Sequence, residues 1–274
     1  MPYEISDKEF AMFQKLIYDR TGIYLSENKR LLMLTRLTKR LRALNLETLQ
    51  DYYKHIIESD GGTEELIHMI NRITTNKTDF FRENHHFDFL RSTVFPQLVE
   101  AGQKKVRIWS AGCSTGEEPY SIAMTALDFF QDKPGYDIKI LATDLDTDVL
   151  DHGKQGVYLK EKTAPISNQY KMRFTKKGPE DKVEMVPELK NIIDFKRLNL
   201  KNIVLGHNPF KYGFQIIFCR NVIIYFKRED RTTLVSKYHN ILRPGGYLFL
   251  GHSESLIAQE VGFYLVGNTM YKKD

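Results

Sequence analysis

The segment 106-VRIWSAGCSTGEEPY-120 joins an apolar, β-branched run to a loop holding Gly112 and Gly116, and the loop leads straight into Glu117 and Glu118. That order predicts a strand, a tight turn and a helix. Glycines at the turn remove side chains where the backbone must bend sharply or approach a ligand, and the first helical turn offers N–H groups with no partner inside the helix. A second run, IKILATD, ends at Asp144. At the carboxyl edge of a parallel sheet, beside the first loop, this carboxylate can accept two hydrogen bonds from a ribose diol. A nucleoside pocket is therefore expected.

The spacing argues about which nucleoside. A dinucleotide fingerprint is G-x-G-x-x-G with an acidic residue about 20 positions on. Here the loop runs Gly112-Cys113-Ser114-Thr115-Gly116, no third glycine follows, and Asp144 lies 32 residues past Gly112. Glu117 and Glu118 would repel a pyrophosphate at the helix start but suit a ligand carrying positive charge, as the sulfonium and ammonium of S-adenosylmethionine do. An S-adenosylmethionine site is the favoured reading, against an ordinary strand-to-helix turn with no ligand.

Outward from this segment, apolar runs alternate with amphipathic ones: SIAMTALDFF, IKILATD, TDVLDHG, FQIIFC, TTLVSKYHNIL and YLFLG. That alternation predicts parallel strands with crossover helices. Between Gly156 and Leu198 it breaks into short runs, YKMRF, KVEMV and NIIDFKR, around the turn-like KKGPED, which reads as a small antiparallel insertion of about three strands. LRPGGYLFLG reads as a turn into a buried strand, and VGFYLVGNTMYKKD as a closing hairpin. Upstream, EFAMFQKLIYDR, KRLLMLTRLTKRLRAL and LQDYYKHIIE repeat apolar residues every three or four positions, the signature of a small all-helical module. The expected organisation is a helical domain over 1–75, an α/β domain over 76–274 that begins with a linker at 76–104, and an inserted β-subdomain at 157–198.

A chain of 274 residues that is 42% hydrophobic can bury a full core. MPYEISDKEF has no basic region followed by an apolar run, and no stretch approaches the ~18 apolar residues that span a bilayer, so a cytoplasmic location without membrane insertion is expected. Cys113 and Cys219 form no C-x-x-C pair, which points to reduced thiols and away from a zinc site. His85-His86 has no third ligand at a convincing spacing, so these are read as surface or interdomain histidines and no metal is expected. A net charge of +5 favours an acidic partner without requiring nucleic acid.

Two further clusters carry chemistry: RITTNKTDFFRE at 72–83, and FCRNVIIYF at 218–226, which follows a predicted parallel strand and so belongs to the same ligand-binding edge. Taken together, TTNKTDFFRE, WSAGCSTGEEPYS, ATDLDTDVL, FCRNVIIYF and GHSES resemble the signature segments of chemotaxis receptor glutamate O-methyltransferases, the CheR family. The resemblance runs through nearly the whole chain. It implies a Rossmann-like methyltransferase domain, with a mostly parallel seven-stranded sheet, a C-terminal antiparallel hairpin and the β insertion, behind the helical domain. It also implies that Asn76, Thr78 and Arg82 contact the cofactor or line its site, and that Glu117 and Asp144 bind its amino-acid and ribose or adenine portions, with Glu118 able to share the former role. Gly112 belongs to the same cofactor loop. Asn199 and Leu200 match the family's adenine-side contact, Arg220 and Asn221 its Arg-Asn pair, and Tyr225 would face the methyl group. The expected substrate is a set of glutamates on the methylation helices of a chemoreceptor.

A glutamate carboxylate is already ionised at neutral pH and needs no general base, so positioning by Arg82 and Tyr225 is the expected catalytic contribution. The helix KRLLMLTRLTKRLRAL carries Lys29, Arg30, Arg36, Lys39, Arg40 and Arg42, with no acidic residue between positions 28 and 46. Its basic face is expected to dock the acidic receptor surface through Arg36, Lys39 and Arg40. It has no interleaved aromatics for stacking bases, which argues against nucleic acid. In some relatives the insertion binds a receptor's C-terminal peptide by strand addition, and residues 157–198 are a candidate for that role. A monomer is expected. The cofactor half of such a fold does not specify the acceptor, so a different acceptor remains an alternative, as does a scaffold that binds S-adenosylmethionine without turnover. Arg220-Asn221-Val222 stands where base amino-methylating enzymes carry Asn-Pro-Pro-Tyr, which argues against an exocyclic amine.

Overall fold

The computed structural model describes residues 4–254 and 257–274. The N-terminal tripeptide and Ser255 of the GHSES segment lie outside the described residues.

In the helical region, α1 (Asp7–Thr21) opens on a capping box between Ser6 and Glu9 and closes at Gly22 in the left-handed conformation. It is followed by α2 (Arg30–Leu44), α3 (Leu49–Glu58) and α4 (Gly62–Ile73). Residues at helical spacing, among them Phe10, Phe13 and Ile17 of α1 and Met33, Leu37 and Leu41 of α2, merge into one core. Residues 76–104, expected as a linker, carry α5 (His85–Phe89), a π turn over Leu90–Val94 and α6 (Phe95–Glu100). Phe87, Leu90, Val94 and Phe95 pack this segment onto the sheet.

The α/β region forms β1 (Lys105–Ala111), α7 (Glu117–Phe130), β2 (Asp137–Asp144) and α8 (Thr147–Gln155). After β3 (Val157–Tyr158) come α9 (Asn168–Phe174), β4 (Thr175–Lys177), β5 (Val183–Met185), α10 (Pro187–Lys190), β6 (Ile193–Arg197) and α11 (Leu200–Val204). The chain ends with β7 (Phe214–Cys219), α12 (Arg228–Ile241), β8 (Leu242–Leu250), α13 (Ile257–Glu260), β9 (Tyr264–Gly267) and β10 (Met270–Lys272).

The main sheet has seven strands in the order β6-β2-β1-β7-β8-β10-β9. Its first five strands are parallel, and β10 and β9 are added antiparallel. Both faces are buried: Val106 and Ile108 of β1 enter one core while Trp109 and Ala111 enter the other. Trp109 is fully buried and donates its indole N–H to Thr143 Oγ1 at 2.8 Å, so its burial leaves no polar atom orphaned. An apolar side chain buried this way stabilises by roughly 1.5–3 kcal/mol. Because β1 pairs with β2 on one side and β7 on the other, the sheet's switch point falls at the loops after these strands, where ligands bind in open α/β sheets.

A three-stranded antiparallel sheet, β3-β5-β4, accounts for the predicted insertion, but two of its expected strands are something else. YKMRF lies in α9, whose start Ser167 caps through its side chain to Tyr170 N. NIIDFKR supplies β6, a parallel edge strand of the main sheet paired with β2. The Pro-Gly-Gly expected as a turn is part of β8, where a register shift against β7 and a positive φ at Gly245 absorb the irregularity. Among the described residues no helix is long and apolar enough to cross a membrane.

Candidate functional site

A cavity of about 940 Å³ opens above the carboxyl ends of β1, β2 and β7, with a wall supplied by the helical region. Gly112 turns the chain at the end of β1 with φ of +85°, and a Cβ there would sit 2.3 Å from Val222 Cγ2, so only glycine lets this loop pack against the one after β7. Two residues on, Ser114 N donates to Asp144 Oδ2 at 2.8 Å, while Asp146 N donates to Asp144 Oδ1 at 3.0 Å. Burial pushes the Asp144 carboxyl up, and these backbone N–H groups oppose the shift.

The two glutamates at the start of α7 point differently. Glu118 lines the cavity, accepts from Ser110 Oγ at 2.7 Å and lies 3.3 Å from Arg220 Nη1. Glu117 is buried, accepts from Thr115 Oγ1 at 2.6 Å and does not line the cavity. The carboxylate placed to meet a ligand is thus Glu118, not the Glu117 that the sequence favoured. Burial raises the carboxyl of each, and Arg220 opposes the shift at Glu118.

The TTNKTDFFRE segment crosses the cavity, with Asn76, Thr78 and Arg82 all lining it. Asn76 is held at both ends: Nδ2 donates to Asp146 Oδ2 at 2.7 Å, and its carbonyl accepts from Ser114 Oγ at 2.9 Å. Asp146 is only 1% exposed and also caps α8 through Asp148 N and Val149 N. Sequence reasoning missed it, although it stands in the ATDLDTD run. Phe81 and Glu83 adopt positive φ, an uncommon backbone state that turns the chain at Arg82. Arg82 donates to Lys77 O at 3.1 Å, and its own carbonyl accepts from Arg220 Nη2.

Asn199, Leu200, Asn221 and Tyr225 also line the cavity. Asn199 caps α11 by accepting from Lys201 N and donates Nδ2 to Arg20 O at 2.6 Å. Tyr24 N donates to Tyr225 O at 2.8 Å. Both bonds tie the helical region to the site.

The basic face of α2 is less open than its sequence suggests. Arg36 donates to Ile73 O, Thr74 O and Thr75 Oγ1, closing the end of α4 and holding the start of the cavity-lining segment. Arg40 forms a two-pronged pair with Glu65 at 2.9 and 2.6 Å, and Glu65 also accepts from the buried Tyr52 hydroxyl. Of the three expected docking residues only Lys39 is exposed; Arg36 and Arg40 are half-buried.

The histidines differ from expectation too. His86 is fully buried, with Nε2 2.9 Å from Thr269 Oγ1, and burial together with Arg220 pushes its imidazole down to about 2. A third candidate ligand, Glu83, lies with His85 and His86 inside 4.8 Å. The Glu83 carboxylate already faces a cation, Arg220 Nη2 at 3.5 Å. His252 is exposed and stacks on His85.

The donor set fits S-adenosylmethionine: a carboxylate at the end of β2 for the ribose diol, a second carboxylate at the start of α7 for a cationic amino-acid end, and a glycine loop that admits the nucleoside. Fold and site define an S-adenosylmethionine-dependent methyltransferase. The sequence matches two family models in tandem, the CheR methyltransferase all-alpha domain over residues 8–74 and the CheR methyltransferase SAM binding domain over residues 76–272. The chain belongs to the CheR methyltransferase family. It is 36% identical to the chemotaxis protein methyltransferase of Borreliella burgdorferi over 98% of this chain and 95% of that one. It is 39% identical to the Escherichia coli chemotaxis protein methyltransferase, over 97% of this chain and 91% of the other. Chemotaxis protein methyltransferase 2 of Pseudomonas aeruginosa is also 39% identical, over 98% and 94%.

Proposed function

We propose that this methyltransferase esterifies glutamate side chains on the cytoplasmic methylation helices of bacterial chemoreceptors, with residues 1–75 recognising the receptor and residues 76–274 carrying out the transfer. The observation that carries this reading is the composition of the cavity, which combines the partly buried carboxylates Glu118 and Asp144 with the cationic side chains Lys29, Lys77, Arg82 and Arg231. Such a site suits a cationic cofactor and an anionic acceptor at once.

S-adenosylmethionine, when bound, supplies an electrophilic methyl group on a sulfonium. Asp144 would hold the ribose hydroxyls, Glu118 the amino-acid ammonium, and Asn199 with Leu200 the adenine side. Arg82 would orient the acceptor carboxylate by charge-assisted hydrogen bonds, and Tyr225 would fix its approach. The acceptor is ionised at neutral pH, so these residues have no proton to move; their work is alignment and exclusion of water. Residues 157–198 offer β4, an edge strand of the three-stranded sheet, to a receptor C-terminal peptide. A peptide titration without binding at millimolar concentration would remove that element. We take the working unit to be a monomer.

The test supplies methyl-labelled S-adenosylmethionine and receptor-containing membranes. Label on receptor bands that mild alkali releases as methanol identifies a carboxyl ester, and its loss in Arg82→Ala assigns the transfer to this site. Cofactor binding without transfer would instead favour a scaffold or another acceptor.

A further inference from the structure

The loop after β7, residues 220–226, carries Arg220, Asn221 and Tyr225 into the cavity, yet it has little regular structure of its own. Its backbone is held by side chains from elsewhere. Glu254, from the loop after β8, is 3% exposed and accepts four backbone N–H groups: Gly251 at 2.7 Å, Asn221 and Val222 at 2.9 Å, and Ile224 at 3.3 Å. On the opposite side Arg231 donates to Phe226 O at 2.7 Å and Ile224 O at 2.8 Å.

We propose that Glu254 is a positioning residue for methyl transfer, the buried anion on which the Arg220–Phe226 loop is shaped. It does not line the cavity and can reach the reacting groups only through that loop. Two observations indicate how closely the loop is moulded to it. Asn221 is held at φ of +59°, a conformation uncommon outside glycine, and both its N–H and the following one converge on the one carboxylate. At Gly251 a Cβ would lie 2.6 Å from Asn221 Nδ2 and 2.9 Å from Glu254 Oε2, so nothing larger than glycine lets the two loops meet. The arrangement concentrates negative charge where the N–H groups of Asn221, Val222 and Ile224 point.

Glutamine is the informative substitution. It keeps the shape and one acceptor oxygen but turns an NH2 donor toward amides that are themselves donors, so about half of the four bonds are lost. This inference rests on the proposed reading for its transfer assay, and the experiment separates the two. Glu254→Gln is measured alone and in a Tyr225→Phe background, with S-adenosylmethionine affinity by calorimetry and single-turnover transfer to receptor membranes. The expected result is a transfer rate lower by on the order of 100-fold in the native background and a much smaller further loss beside Tyr225→Phe, because the effect passes through the loop. Equal losses in both backgrounds, or native kinetics in Glu254→Gln, would overturn the proposal. If Glu254→Gln does not fold, Glu254→Asp takes its place in the same cycle. Amide exchange of the unsubstituted protein gives an independent arm: the N–H groups of Asn221, Val222 and Ile224 should exchange as slowly as those of β7, and fast exchange would sink the idea. If the unsubstituted protein transfers no methyl to receptors, the proposed reading fails, while affinity and exchange still decide the role of Glu254.

Discussion

The backbone amide of Ser114 donates a 2.8 Å hydrogen bond to Oδ2 of Asp144, so the glycine loop after one strand is pinned to the carboxylate at the end of its neighbour. Asp144→Asn should weaken S-adenosylmethionine binding by about 10- to 100-fold, the worth of a charge-assisted hydrogen bond at roughly 1.5–3 kcal/mol. Titration calorimetry of the variant checks this, and native affinity would refute the ribose role.

The pH dependence of binding follows from burial. The Asp144 and Glu118 carboxyls are both raised, so they take up protons at higher pH than an exposed carboxylate near ~4. As pH falls through the raised values, the negative charge proposed to attract the cofactor is lost, and the dissociation constant should rise there. Stability of the cofactor-free protein runs the other way: a raised carboxyl pKa means the folded state binds protons more readily, so these two groups stabilise it less as pH rises through the raised values. A pH series of binding and melting measurements should show the opposed trends.

Glu118→Gln should weaken cofactor affinity on the order of tenfold, whereas Glu117→Gln should leave affinity near native and register as a change in melting temperature. The contrast follows from one carboxylate lining the cavity while the other bonds Thr115. Equal affinity losses in the two variants would place both at the ligand.

Arg82→Ala and Tyr225→Phe should lower the transfer rate more than cofactor affinity, with the arginine costing on the order of 10²- to 10³-fold. Rapid-quench kinetics beside equilibrium binding separate the terms. A pure affinity loss in Arg82→Ala would move that side chain from the acceptor to the cofactor.

Arg40 and Lys39 are neighbours on α2 with different expected outcomes. Arg40→Ala strands Glu65, which is 4% exposed, and should destabilise the protein by about 3 kcal/mol. Burial pushes the Glu65 carboxyl up, but bonds from Arg40 and Tyr52 outweigh it and leave it below its ordinary value. That contribution is present above the ordinary carboxylate pKa and is lost as pH falls through the lowered one, so the native protein should hold it until strongly acidic conditions. Lys39→Ala should leave the melting temperature unchanged and reduce transfer to receptors at low ionic strength, which salt titration detects.

The central strand, its glycine loop and Asp144 were legible in the sequence because burial on both faces demands a continuous apolar run, and the loop interrupts it with residue types that few other contexts need. Glu117 and Glu118 were harder to separate, since adjacent helical residues point about 100° apart and the first turn gives no register of its own. NIIDFKR resembled an insertion strand because β6 is an edge: Ile193 is buried while Lys196 and Arg197 are exposed, which imitates the alternation of an antiparallel ribbon. Arg36 and Arg40 read as a free basic face because their partners, Thr75 and Glu65, lie 39 and 25 residues away. Glu254 stands in the GHSES segment that carried the resemblance, but nothing there gave it a role, since four main-chain amides have no side-chain signature.

The bond from Tyr24 to Tyr225 and the one from Asn199 to Arg20 give the cavity a wall that the helical region brings with it. The recognition proposed for residues 1–75 and the chemistry proposed for the rest are therefore not interchangeable cassettes. A chimera that borrowed its first 75 residues from a relative, to redirect the enzyme toward another receptor, would also import a foreign side to the reaction chamber, and its turnover would shift along with its choice of target.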